Sequence, residues 1–158
     1  MKGGKLAQEA WDIAREALLS YENAKNVVIA DVEFVREGAQ QILRLVIDSA
    51  SPISMDDCAD VSRLVDPALD ERFSWQKPYQ LVVESFGFDR PLVDSEAALR
   101  HLHERVELRL YQAKDKQKQF EGELCSVGEA ELSLKLDNGE IRSFTWEEIA
   151  KLHRVVVF

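Results

Sequence analysis

Cysteine is scarce in this chain: Cys58 and Cys125 are the only two, and they lie far apart. There is no CxxC pair and no Cys/His cluster, so a structural zinc site is not expected, since zinc needs converging ligands at short, regular spacings. Two lone cysteines without an export signal suggest a reducing compartment. Long apolar runs are also missing, and none approaches the ~20 residues that a bilayer span requires. The opening Met1-Lys2-Gly3-Gly4-Lys5 leads into an amphipathic pattern and not a continuous apolar core, which argues against a secretory signal. The expected location is cytoplasmic.

Glycine-rich phosphate loops are absent, both GxxxxGKS/T and GxGxxG, and so is the GxSxG elbow of serine hydrolases. Nucleotide and serine hydrolysis are therefore not expected, and no cofactor is implied. Positive charge is in deficit, with 20 Lys+Arg against 29 Asp+Glu and a net charge of −9. Residues 1–92 hold ten basic and sixteen acidic side chains, and residues 93–158 hold ten and thirteen. Neither half has the basic balance of a module that wraps naked nucleic acid. An acidic protein is attracted to basic partners at long range, although the charge also serves solubility.

The 158 residues could form one domain or two small ones. Leu6, Ala10, Ile13, Ala14, Ala17, Leu18 and Tyr21 fall on one face of a helix over residues 6–21. Residues 27–35 and 42–48 read as strands around a Gly38-containing turn, a hairpin. Ser54 and Asp57 have capping-box spacing at the start of a helix whose buried stripe is Cys58, Val61, Leu64, Val65, Ala68 and Leu69. Pro67 predicts a kink or an early end. Residues 79–84 read as a third strand, giving an α-β-β-α-β layer. Residues 85–92 form a connector. A short helix is expected at 94–104, then strands at 106–112, 119–127, 131–136, 141–146 and 153–157. Five short strands at this spacing suggest a small β-barrel. The expectation is α+β, with an N-terminal domain over 1–92 and a C-terminal barrel domain over 93–158.

His101 and His103 would share a face only on a strand, where a weak metal site is conceivable; solvated surface side chains are the preferred reading, and no metal is expected. Asp57 reads as a helix cap. Asp60 is open between helix capping with dipole complementarity and an acidic docking patch or cation site. Cys58 lies on the apolar stripe and reads as a buried thiol. Lys114, Lys116 and Lys118 form the one dense basic cluster, either a solvated hairpin loop or a contact for RNA phosphate. Phe86 and Phe88 flank Gly87 and are read as filling a seam between the halves. Asp89 and Arg90 either lock the turn or, through the arginine fork, meet a carboxylate or phosphate.

Several segments together resemble the RimP family. One is Asp56-Asp57-Cys58-Ala59-x-Val61-Ser62-Arg63 with Leu69-Asp70. A second is Tyr79-x-Leu81-x-Val83-x-Ser85-x-Gly87-x-Asp89-Arg90-Pro91-Leu92, and a third is Leu110-Tyr111-Gln112 through Phe120-Glu121-Gly122. They run in order over nearly the whole chain. Val82, Glu84, Phe86 and Phe88 depart from the family's usual loop, where Glu, Ser, Pro and an aliphatic stand.

The resemblance implies an SH3-like or Sm-like barrel in the second half and a non-enzymatic, monomeric factor that assists assembly of the immature small (30S) ribosomal subunit. It also implies a basic ribosomal protein near the decoding centre as a partner, with ribosomal RNA as a further candidate and no membrane. The expected contact residues are Asp60, Gly87, Asp89, Arg90, Lys114, Lys116 and Lys118. The competing reading is an RNA-binding module acting through the barrel and its lysine loop.

Overall fold

The computed structural model of the chain describes residues 3–21, 26–73 and 79–156. They fall into two compact units, Met1–Phe86 and Gly87–Phe158.

The first unit is a three-stranded sheet under two helices. Helix α1 (Gly4–Leu18) buries Ala7, Ala10 and Ala14 completely, small side chains that let it lie close to its neighbours. It ends three residues before the expected Tyr21, which still packs on the core. Strands β1 (Val28–Glu37) and β2 (Gln40–Asp48) pair antiparallel around a two-residue turn, where Gly38 takes φ +63. Helix α2 (Met55–Phe73) carries the chain across to β3 (Tyr79–Ser85), which runs parallel to β2, so β2 is central. Leu43, Leu45 and Ile47 of β2 are fully buried with Val61, Val65, Leu69 and Phe73 of α2. Phe34 meets Phe73 edge-on at 5.5 Å.

The start of α2 follows the expected box: Asp57 N–H donates to Ser54 Oγ at 3.1 Å, and Ser54 N–H donates to Asp57 Oδ2 at 2.8 Å. The early end at Pro67 does not occur, because the helix continues to Phe73. An interior proline costs ~3 kcal/mol. Burying Leu69 and Phe73 beyond it contributes ~1.5–3 kcal/mol each, enough to carry the helix through.

The second unit opens with α3 (Ser95–Arg100), capped by Asp94, whose carboxylate accepts from Ala97 N–H at 2.8 Å. This helix is shorter than expected, and residues 101–103 form a turn. Five antiparallel strands follow: β4 (Arg105–Lys114), β5 (Gln117–Val127), β6 (Glu131–Lys135), β7 (Ile141–Thr145) and β8 (Ile149–Arg154), in sheet order β7-β6-β5-β4-β8. A single 3₁₀ turn, Trp146–Glu148, joins the last two.

Two expectations are corrected here. The last strand lies at 149–154 and not 153–157, and residue 157 is outside the described residues. Its apolar residues Ile149 and Leu152 are three apart, so they do not alternate. A bulge opposite Arg109 and Leu110 skips Ala150 and turns both side chains inward. Second, the sheet does not close into a barrel, since β7 and β8 share no ladder among the described residues. The outer side of β8 is occupied by the incoming chain: Pro91 bridges His153, and Leu92 N–H donates to Leu152 C=O at 2.7 Å. Side chains tie β7 to the β4–β5 hairpin instead. Lys114 Nζ donates to Ser143 C=O at 3.2 Å, and Arg142 donates to Asp115 at 2.7 Å. The two cations lie over Phe144 and Phe120, which pack at 4.9 Å in the core.

A β-carbon at Gly122 would stand 2.4 Å from Lys135 C=O, a backbone atom that cannot swing aside. Gly122→Ala is therefore expected to cost about 1–3 kcal/mol, read as a lower denaturation midpoint at unchanged slope. In the two-residue β4–β5 turn, Asp115 and Lys116 both take left-handed backbone, φ +53 and +66. Lys116→Gly should relieve that strain and raise stability by up to about 1 kcal/mol in the same assay.

Candidate partner-binding surfaces

The seven expected contact residues fall on three elements. Asp60 is half-buried on α2 in the first unit and ion-paired with Arg63 one turn on. Its position is that of a helix-surface carboxylate with an adjacent counterion. Gly87, Asp89 and Arg90 form a turn at the head of the second unit, closed by Arg90 N–H donating to Gly87 C=O at 3.2 Å. The Asp89 carboxylate lies over Gly87, where a β-carbon would meet Oδ1 at 2.5 Å, the end of an exposed side chain that can swing aside. Asp89 is exposed and Arg90 half-buried.

Lys114, Lys116 and Lys118 share the β4–β5 hairpin but not one role. Lys114 is engaged with Ser143, with Glu148 at 3.6 Å and with the Phe144 ring. Lys116 and Lys118 are exposed.

The two aromatics of the loop have different surroundings. Phe86 N–H donates to Ile47 C=O at 2.8 Å, which extends the β2–β3 pairing of the first unit. Phe88 belongs to the second, where the Arg154 guanidinium stands 4.3 Å from its ring centroid. Arg154 is linked to Glu104 at 3.5 Å, and the other oxygen of Glu104 meets His101 Nδ1 at 2.5 Å. His101 is 2% exposed, so it is no surface histidine. The turn after α3 folds it inward against Glu104, three residues on. His103 is exposed and faces Glu123 at 3.4 Å. Neither histidine is on a strand, and among the described residues no three His, Cys, Asp or Glu side chains converge as a metal would require.

The network from His101 to Phe88 escaped sequence reasoning. Its members are 13, 3 and 50 residues apart in the chain, and only the i, i+3 spacing of His101 and Glu104 gave a local signal. Cys58 is partly buried against the first core, and burial first, then the Asp57 and Glu84 carboxylates, push its thiol up, away from the reactive thiolate.

Burial raises the Glu104 carboxyl, but hydrogen bonds and charge from His101 and Arg154 outweigh it and hold Glu104 below the ordinary value of 4.5. A depressed carboxyl stabilises the fold above its unfolded value, and that contribution fades as pH falls through the folded one. Glu104→Gln should therefore lower Tm at neutral pH, with the gap to the unaltered protein narrowing as pH falls below about 4.5.

Residues 21–89 match the family model for the RimP N-terminal domain. The matched stretch takes in β1, β2, α2 and β3 and ends inside the loop, at Asp89. None of the described helices is long and apolar enough to cross a membrane. Residues 21–89 of the chain thus carry the N-terminal domain of the RimP family.

Proposed function

We propose that this protein binds the free, immature small (30S) ribosomal subunit in the cytoplasm and assists its assembly without catalysing a reaction. The match of residues 21–89 to the RimP N-terminal domain carries this reading. The net charge of −9 supports it independently, because an acidic factor can hold a basic ribosomal protein without competing for RNA phosphate. The second unit is read as an SH3-like or Sm-like domain, supported by its four-strand meander, 3₁₀ turn and return strand beside β4. The protein acts as a monomer. Asp60 and the turn at Gly87, Asp89 and Arg90 supply its main contacts, Lys116 and Lys118 add a minor one to ribosomal RNA, and Lys114 holds the hairpin.

The second reading, an RNA-binding module, draws on the exposure of Lys116 and Lys118 alone. Sedimentation separates the two. The protein is expected to co-sediment with free small subunits at low salt and not with assembled ribosomes; recovery only in ribosome-free fractions refutes the proposal. Replacing Lys116 and Lys118 together by alanine should leave that association in place. If RNA phosphate dominates, the double variant will instead flatten the log–log salt dependence by about 1.4–1.8.

A further inference from the structure

The second unit holds a cavity of about 490 Å³ lined by Phe88, His103, Glu104, Arg105, Glu123 and Val155. That volume falls within the ~300–1,000 Å³ typical of ligand sites. The lining decides what can enter. Phe88 is 43% exposed, and Arg154 already stacks on its ring, so the ring suits a planar cation. Arg105 has little charge to spare: Asp137 holds it through two bonds of 3.0 Å, and Glu121 accepts from Nε at 2.6 Å. Glu104 and Glu123 face the cavity, and Glu123 has only the 3.4 Å contact to His103 and an exposed side chain. The carboxylates of Glu104, Glu121, Glu123 and Asp137 thus outnumber the cations of Arg105 and Arg154. His103 sits on the rim with φ +74, pinned by its N–H to Leu124 C=O at 2.7 Å. Strained backbone of this kind persists only where the surroundings hold it, and it fixes the rim in place.

An anion entering this cavity would meet excess negative charge. A neutral apolar group would leave the negative excess uncompensated, with Glu123 holding only its 3.4 Å contact to His103 among the described residues. A planar cation on an apolar stem meets both demands, with its methylenes on Phe88 and Val155 and its fork toward the carboxylates. We infer that this cavity is the docking site for an arginine side chain of a basic protein segment. The inference deepens the small-subunit reading and rests on it for the presence of a basic partner.

The test titrates a hexa-arginine peptide into the full isotope-labelled chain. Amide shifts are expected at Phe88, His103, Glu123 and Val155. Phe88→Ala and Glu123→Gln should each weaken binding by about fivefold or more, the scale of one cation–π or charge contact. Phe88→Leu keeps apolar volume without the ring, so it must weaken binding as well if the ring is the anchor and folding is intact. Glu37→Gln, which removes a carboxylate from the first unit, should leave affinity unchanged. Equal losses from Glu37→Gln, or shifts spread away from the cavity, overturn the inference in favour of diffuse charge attraction. A single-stranded RNA oligonucleotide that shifts the same residues and displaces the peptide overturns it in favour of RNA. If the peptide fails to bind while subunit co-sedimentation persists, the cavity is refuted and the subunit reading stands. If the peptide binds there but the chain does not co-sediment, the subunit reading is refuted and the arginine site is supported.

Discussion

A sheet edge needs a partner for its backbone, and in the second unit that need is met by the chain's own entry segment. Leu92 N–H bonds Leu152 C=O, and Pro91 bridges His153. Proline suits an edge because it has no N–H to leave unsatisfied. This pairing has two effects. It occupies the side of β8 that a closing β7 would need, and it anchors the turn that begins at Gly87. Phe88 then comes under Arg154, which is on β8 itself. Within the second unit, the residues from Gly87 to Leu92 are thus built against a sheet edge.

The same economy runs through the charged residues. Although the chain is acidic, many of its cations are committed. Arg44 has three carboxylates around it, Glu33, Glu37 and Glu84; Arg105 has two, and Lys114 and Arg142 lie on the aromatic pair of the second core. Surface pairs of this type contribute little stability each.

Much of the first unit could be read from the sequence because its signals are local. The Ser54–Asp57 box, the 3–4 spacing of Val61, Val65 and Leu69, and the alternation of Leu43, Leu45 and Ile47 each require only a few neighbouring residues. What failed depended on distant residues. Ile149 and Leu152 read as out of phase until β4 supplies the bulge that accommodates them. Closure looked natural from strand count, yet the decisive residues, Pro91 and Leu92, lie before the first strand of that sheet. The three lysines at 114, 116 and 118 read as equivalent because nothing local marks Lys114 as belonging to Ser143, 29 residues on. His101 looked like a surface residue because its burial is set by the turn after α3.

The anchored lysine of the β4–β5 hairpin has another consequence. Strand β7 is an edge of its sheet, and a bare edge is a template on which a second chain can add a strand. At Ser143 the carbonyl that a stray strand would seek is already bonded to an ammonium group. Lys114 thereby works as a gatekeeper against edge-to-edge aggregation, a role in which a lysine serves better than any apolar residue of similar length.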